Sequence, residues 1–164
     1  LLNLLRTYYD FVVIDTPSSY NEITLAAIEG SSNILFVTGL DDISTLKNSK
    51  LSLSLLKSLQ QGDKVKLIAN KVDDIGSLTL QDVEEVLGYP VVGKIPREDR
   101  IARTGLNRGI PFVISNPASK PALAISAIAD IILQGNGNGN GRSVSDKKKE
   151  PKNFLKSKRR KGLK

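Results

Sequence analysis

At 164 residues, with 40% hydrophobic and 25% charged side chains, the chain is long enough for one globular domain with its own core. It holds neither cysteine nor histidine, which excludes a disulfide framework, a Cys- or His-ligated metal and the commonest general base, and is compatible with a reducing cytoplasm. The net charge of +7 divides unevenly: residues 142–164 carry 11 Lys/Arg and two acids, whereas the preceding 141 residues carry 13 basic and 15 acidic side chains.

The chain begins at Leu1 rather than Met, so it is expected to be the later part of a longer polypeptide. Residues 1–6 have no basic opening and read as leading straight into a strand, not as a signal peptide. No apolar run approaches the roughly 20 residues that span a bilayer. Residues 10–15 (DFVVID) form a short apolar, β-branched run ending in an acid, the pattern of a strand buried on both faces. Three similar runs follow, at 33–38 (NILFVT), 65–70 (VKLIAN) and 91–95 (VVGKI). Helical patterns separate them at 22–29 and 43–59. Another opens at Thr79-Leu80-Gln81-Asp82, which resembles a capping box, and stops at Gly88. Residues 98–106 and 121–133 predict the last two helices. Strands alternating with helices predict an α/β fold with a mostly parallel, doubly wound sheet. That domain is expected over residues 1–133, followed by a Gly/Asn linker at 134–141 and a basic, disordered tail at 142–164.

In such sheets ligands bind beyond the carboxyl ends of the strands. The first strand ends Asp15-Thr16-Pro17-Ser18-Ser19. An acid directly after a buried strand can hold Mg²⁺ beside a phosphate, and Pro17 would redirect the chain over the site. Asp15 alone could equally cap a helix; Thr16 and Pro17 favour the functional reading. The third strand leads into Asn70-Lys71-Val72-Asp73, the N-K-x-D pattern by which GTPases read guanine, though the same four residues also make an ordinary polar turn. The fourth ends Ile95-Pro96-Arg97-Glu98-Asp99, which read alone is a loop entering an acid-rich helix turn.

Taken together, residues 9–41 (YDFVVIDTPSSYNEITLAAIEGSSNILFVTGLD), VKLIANKVD and GKIPREDRIARTGLNRGIPFVISNPAS resemble the second half of MinD/ParA-type P-loop ATPases, over residues 5–133. The nearest branch by resemblance is the CpaE/TadZ-like proteins of Tad/Flp pilus assembly, on the DTP-x-S-[FY]-N-E pattern and on Asp42-Ile43-Ser44-Thr45-Leu46-Lys47. The resemblance implies that Asp15 is the switch acid, holding Mg²⁺ through water and helping to orient the attacking water, with Thr16 and Pro17 in the same switch. It implies that Asn70 bonds the adenine edge and that Pro96, Arg97 and Glu98 flank the base. ATP and Mg²⁺ are the implied cofactors, and a nucleotide-dependent homodimer the implied assembly, acting in spatial regulation or with pilus and secretion machinery. Ser19 stands where the family's switch usually carries Gly, which leaves a non-enzymatic localisation or scaffold protein as an alternative. A GTPase using the NKVD segment is another.

No G-x-x-x-x-G-K-[ST] motif occurs in the chain. In the family that loop lies upstream, on a strand between the Asp15 strand and the NILFVT strand. The 164 residues are therefore expected to lack a central strand and the phosphate site, and not to hydrolyse ATP alone. Lys147–Lys149 and Lys156–Lys161 could bind anionic lipid, placing the protein at the inner face of the plasma membrane, or less readily nucleic acid; a solvated tail weighs as much as both.

Overall fold

The computed structural model describes residues 1–40, 42–73 and 79–135. Asp41, Asp74, most of the Gly/Asn linker and the basic tail lie outside the described residues. The elements run α1 (Leu2–Tyr8), α2 (Glu22–Gly30), β1 (Ile34–Gly39), α3 (Ile43–Ser58), β2 (Val65–Val72), α4 (Leu80–Leu87), β3 (Val91–Pro96), α5 (Asp99–Arg108), α6 (Phe112–Ser115) and α7 (Lys120–Gly135), with a 3-10 turn at Gly62–Lys64. The last two residues of α7 are thus the first two assigned above to the linker.

The three strands form one parallel sheet in the order β1-β2-β3. β2 lies in the middle, and Val65, Leu67, Ile68 and Ala69 are all buried, as a run apolar on both faces requires. On one face Leu67 and Val65 meet Leu46, Leu53 and Leu56 of α3 and Val83 and Leu87 of α4, the main core. On the other face α7 crosses β3, and the approach is closest at Gly93, where an added Cβ would stand 2.4 Å from Ile128 Cγ1. Helices on both faces of a parallel sheet bear out the doubly wound α/β expectation.

α4 begins and ends as its sequence predicts. Thr79 Oγ1 accepts from the Asp82 N–H at 3.2 Å while Asp82 Oδ2 accepts from the Thr79 N–H at 2.8 Å, a reciprocal capping box. Gly88 closes the helix in the left-handed region, φ 73°. α3 is capped by Asp42, whose carboxylate accepts from the Thr45 N–H at 2.7 Å and from the Thr45 hydroxyl at 3.1 Å. Within the Asp42–Lys47 stretch quoted for the pilus-assembly branch, Asp42 and Thr45 thus have a helix-capping role.

The first segment departs from expectation. Residues 1–6 do not lead into a strand: α1 occupies Leu2–Tyr8, and the Arg6 guanidinium donates to the Gly30 carbonyl at the end of α2. Lys64 Nζ also reaches that helix end, donating to the Glu29 carbonyl at 3.0 Å, so two cations sit where the helix dipole is negative. Residues 11–17 form no strand, and no backbone hydrogen bond ties residues 11–16 to another segment among the described residues. A strand is stable only with a partner to complete its ladder. Here β1 is the nearest candidate, but an open cavity of about 480 Å³ lies between residues 9–14 and residues 30–35. Phe11 and Val13 are consequently 52% and 90% exposed despite their strand-like pattern.

Candidate functional site

The polar groups singled out by sequence fall into two places. The first is the carboxyl edge of β2 and β3. Asn70 sits within β2, in register with Gly39 of β1, so the strand continues two residues past the expected end. Between Ala69 and Val72 the β2–β3 register shifts, and Lys71 takes a left-handed backbone, φ 54°. One residue so placed bends the strand and re-aims its neighbours. The Lys71 N–H turns back to Asn70 Oδ1 at 2.9 Å, which leaves the Asn70 amide N–H groups unbonded among the described residues. Asn70 is half-buried; Asp73 is exposed just past the strand.

Val72 pairs with Pro96 at the end of β3, and the Arg97 N–H donates to the Val72 carbonyl at 3.0 Å. Arg97 Nε and Nη2 both reach Asp99 Oδ2 at 3.1 Å, holding the guanidinium against the first turn of α5. Glu98 is the N-cap of α5, its main-chain carbonyl accepting from the Ile101 and Ala102 N–H groups at 3.1 Å, without a cap from its side chain. Asn70, Pro96, Arg97 and Glu98 are therefore brought together on one hydrogen-bonded edge.

The second place is the switch-like segment. Asp15 to Ser19 are all exposed, and Asp15 makes no hydrogen bond or ion pair among the described residues. Thr16 lines the large cavity beside β1. No hydrogen bond among the described residues joins Asp15, Thr16 or Pro17 to the Asn70 edge, and both the cavity and β1 lie between them. Among the described residues no group of three or more acidic side chains could cage a metal. An ion at Asp15 would rest on one protein carboxylate, with phosphate and water completing its shell, which suits Mg²⁺.

Two features escaped the sequence reading. The turn at Lys71 carries no signal, because positive φ is ordinarily announced by Gly or Asn. The other is a buried hydroxyl pair, Thr38 Oγ1 to Ser49 Oγ at 2.7 Å, which ties the carboxyl end of β1 to α3. Thr and Ser look like surface residues in a sequence unless their partner is known.

The fold and the edge define a class: a parallel α/β domain with its candidate ligand groups at the carboxyl ends of the strands. Comparison with known proteins sharpens this. The chloroplastic septum site-determining protein MinD homolog of Arabidopsis thaliana is 30% identical over 127 residues, covering 73% of this chain and 37% of that protein. The solved cell division ATPase MinD of Pyrococcus furiosus superposes with a TM-score of 0.68 at 28% identity, over 81% of this chain and 55% of that one. The septum site-determining protein MinD of Pyrococcus horikoshii, solved with Mg-ADP, gives a TM-score of 0.65 at 28% identity, over 82% of this chain and 55% of that one. These likenesses support the MinD/ParA-type family of P-loop ATPases. No protein-family model matches the chain. The chain spans 37 to 49% of the length of the curated relatives it matches. Those relatives are named for septum placement and cell division rather than for pilus assembly.

Proposed function

We propose that the chain supplies the base-recognition edge and the switch acid of a nucleotide switch of the MinD/ParA type, one that binds ATP with Mg²⁺ and works as a nucleotide-dependent homodimer in spatial regulation. The observation that carries this reading is the Asn70 edge, where a bulged strand presents an amide beside the 96–98 loop at the carboxyl end of a parallel sheet. Asn70 would bond the base edge, with residues 96–98 flanking it. Asp15 would hold the ion. Mg²⁺ and ATP, when bound, supply the charge and the transferable phosphoryl group. No residue in the chain offers the glycine-rich phosphate cradle, so the fit is to the two ends of a nucleotide and not to its middle.

Cell-division placement is favoured by the relatives, and the Tad/Flp pilus-assembly role rests on the DTP-x-S-[FY]-N-E resemblance alone. Among the described residues no helix is long and apolar enough to cross a membrane. Attachment to an anionic inner-membrane surface is proposed for the basic segment, and flotation with liposomes, with and without residues 142–164, checks it.

The test uses the purified 164-residue chain with Mg²⁺ and fluorescent ATP or GTP. Weak adenine-nucleotide binding is expected, lowered about tenfold by Asn70→Ala through loss of a base hydrogen bond. Hydrolysis by the chain alone is expected to be absent. Measurable Mg²⁺-dependent turnover would sink the half-site reading, and a clear preference for GTP would replace it with the GTPase one.

A further inference from the structure

Between the second half of α7 and the amino-terminal edge of the sheet lies a second, smaller cavity of about 150 Å³. Its floor is Leu35, Lys66 and Val92, each the second residue of its strand. Leu35 and Lys66 are register partners and so point to the same face. Val92 is the residue that β3 gains over β2 between the Leu67–Val91 and Ile68–Gly93 pairs, and such an extra residue re-aims its side chain. The roof is Ile128, Ile131 and Ile132 of α7, with Asn33 at the margin. Gly93 lets Ile128 down against β3, and the cavity opens beside that contact. Lys66, Val92, Ile128 and Ile131 line this space and not the larger one beside β1.

Lys66 is the single charge in these walls. It is half-buried and makes no hydrogen bond or ion pair among the described residues. The remaining lining is aliphatic except for Asn33, which is already engaged elsewhere. That combination selects among occupants. A water needs two to four polar partners, and this wall has few to give. A purely apolar molecule would fill the space and leave the ammonium partly desolvated without a counter-charge. An inorganic anion would pair Lys66 and leave the aliphatic roof with nothing to pack against. A molecule with a carboxylate at one end and a short branched alkyl group at the other meets both demands. Its size is bounded as well, since a cavity of about 150 Å³ holds one molecule of roughly benzene size.

The geometry points to a binding site for a small aliphatic carboxylate of about four or five carbons. Its carboxylate accepts a charge-assisted hydrogen bond from Lys66 Nζ, and its alkyl end packs between Val92 and the three isoleucines of α7. One ligand thereby touches all three strands and the helix that covers them, and holds the second half of α7 to the sheet. The site is at the opposite end of the strands from Asn70, so it stands or falls without any nucleotide.

Isovalerate is the probe, titrated near neutral pH and without nucleotide into the full chain labelled at its Ile, Leu and Val methyl groups. Saturable shifts at Ile128, Ile131 and Ile132 are expected, with a Kd on the order of 1 mM. Isovaleramide has the same shape without the charge, and is expected to bind at least about tenfold more weakly. Acetate lacks three of the carbons and should also lose at least about tenfold. Lys66→Met keeps an unbranched apolar stem, and should lower isovalerate affinity about tenfold while leaving isovaleramide unchanged. The comparison of acid with amide on the unaltered chain decides the matter even if that variant does not fold. Shifts that rise without saturation overturn the proposal, as does equal affinity for isovalerate and isovaleramide. Shifts confined to Val13 and Ile14 overturn it too, because they put the ligand in the larger cavity beside β1.

Discussion

The two halves of the candidate site contain similar sequence and have opposite fates. VKLIAN at residues 65–70 and DFVVID at residues 10–15 are both short, β-branched, apolar runs that end in a polar residue. The first is the middle of a sheet, with Leu67 and Ala69 fully buried and neighbours on both edges. The second is in no ladder, and Val13 is nine-tenths exposed. The difference lies in neighbours, not in propensity. A strand pattern states what a segment can bury, and its partners decide whether it does. The Asn70 edge is therefore formed, while the segment that carries Asp15 has no ladder among the described residues.

The comparison breaks most directly by shortening a side chain in each half. Leu67→Ala removes a fully buried side chain from the cluster between α3 and α4, and is expected to cost about 2–5 kcal/mol. Val13→Ala is expected to cost about 0.5 kcal/mol or less, the range of an exposed position. Urea unfolding of the two variants measures both. Similar losses would show that residues 11–14 pack in solution in a way the structure does not.

A smaller effect examines the other face of the sheet. Gly93→Ala places a methyl group 2.4 Å from Ile128 Cγ1 and 2.7 Å from its Cδ1. Ile128 is buried and β-branched, so it has little freedom to turn aside, and a loss of about 1–3 kcal/mol is expected. Ile128→Val should recover part of that loss in the Gly93→Ala background, because the deleted methyl group is one of the two it collides with. Strict additivity of the two changes would mean that α7 sits farther from β3 in solution.

Much of this was legible in the sequence wherever the signal is local. The capping pair Thr79 and Asp82 and the stop at Gly88 announced α4 almost to the residue, and the three apolar runs announced β1, β2 and β3. Position at strand ends also picked out Asn70 and residues 96–98, which the β2–β3 ladder then brought together. What stayed hidden depends on non-local geometry. The Leu-rich opening gave no alternation to separate helix from strand, and α1 formed there. Lys71 turned left-handed although nothing in a lysine predicts it, and this carried β2 on to Val72. Asp15 is exposed at the end of its apolar run, and that run forms no strand beside an open gap, which its local pattern does not reveal.

The finest separation of the two halves is by pH. Hydrogen bonds from the Thr45 N–H and hydroxyl hold the Asp42 carboxyl below its ordinary value of 3.8, and those from the Thr79 hydroxyl and N–H do the same for Asp82. Both carboxylates belong to helices packed on the formed half of the sheet. A carboxyl whose folded pKa is depressed stabilises the fold above its unfolded pKa, and that contribution fades as pH falls through the folded value. Unfolding stability should thus decline on acidification below about pH 4, where protonation of the unfolded chain begins to win. Asp42→Asn keeps a competent cap, since Asn serves there about as well as Asp, but removes the titrating group. Together with Asp82→Asn it should flatten the acid decline while changing stability near neutrality little, because both sites are exposed to solvent. Amide exchange at residues 11–16 should be fast throughout, since no ladder there remains to be lost. An acid decline unchanged in the double variant would place its origin elsewhere in the fold, and a pH-dependent slowing at residues 11–16 would show that the second half has structure of its own.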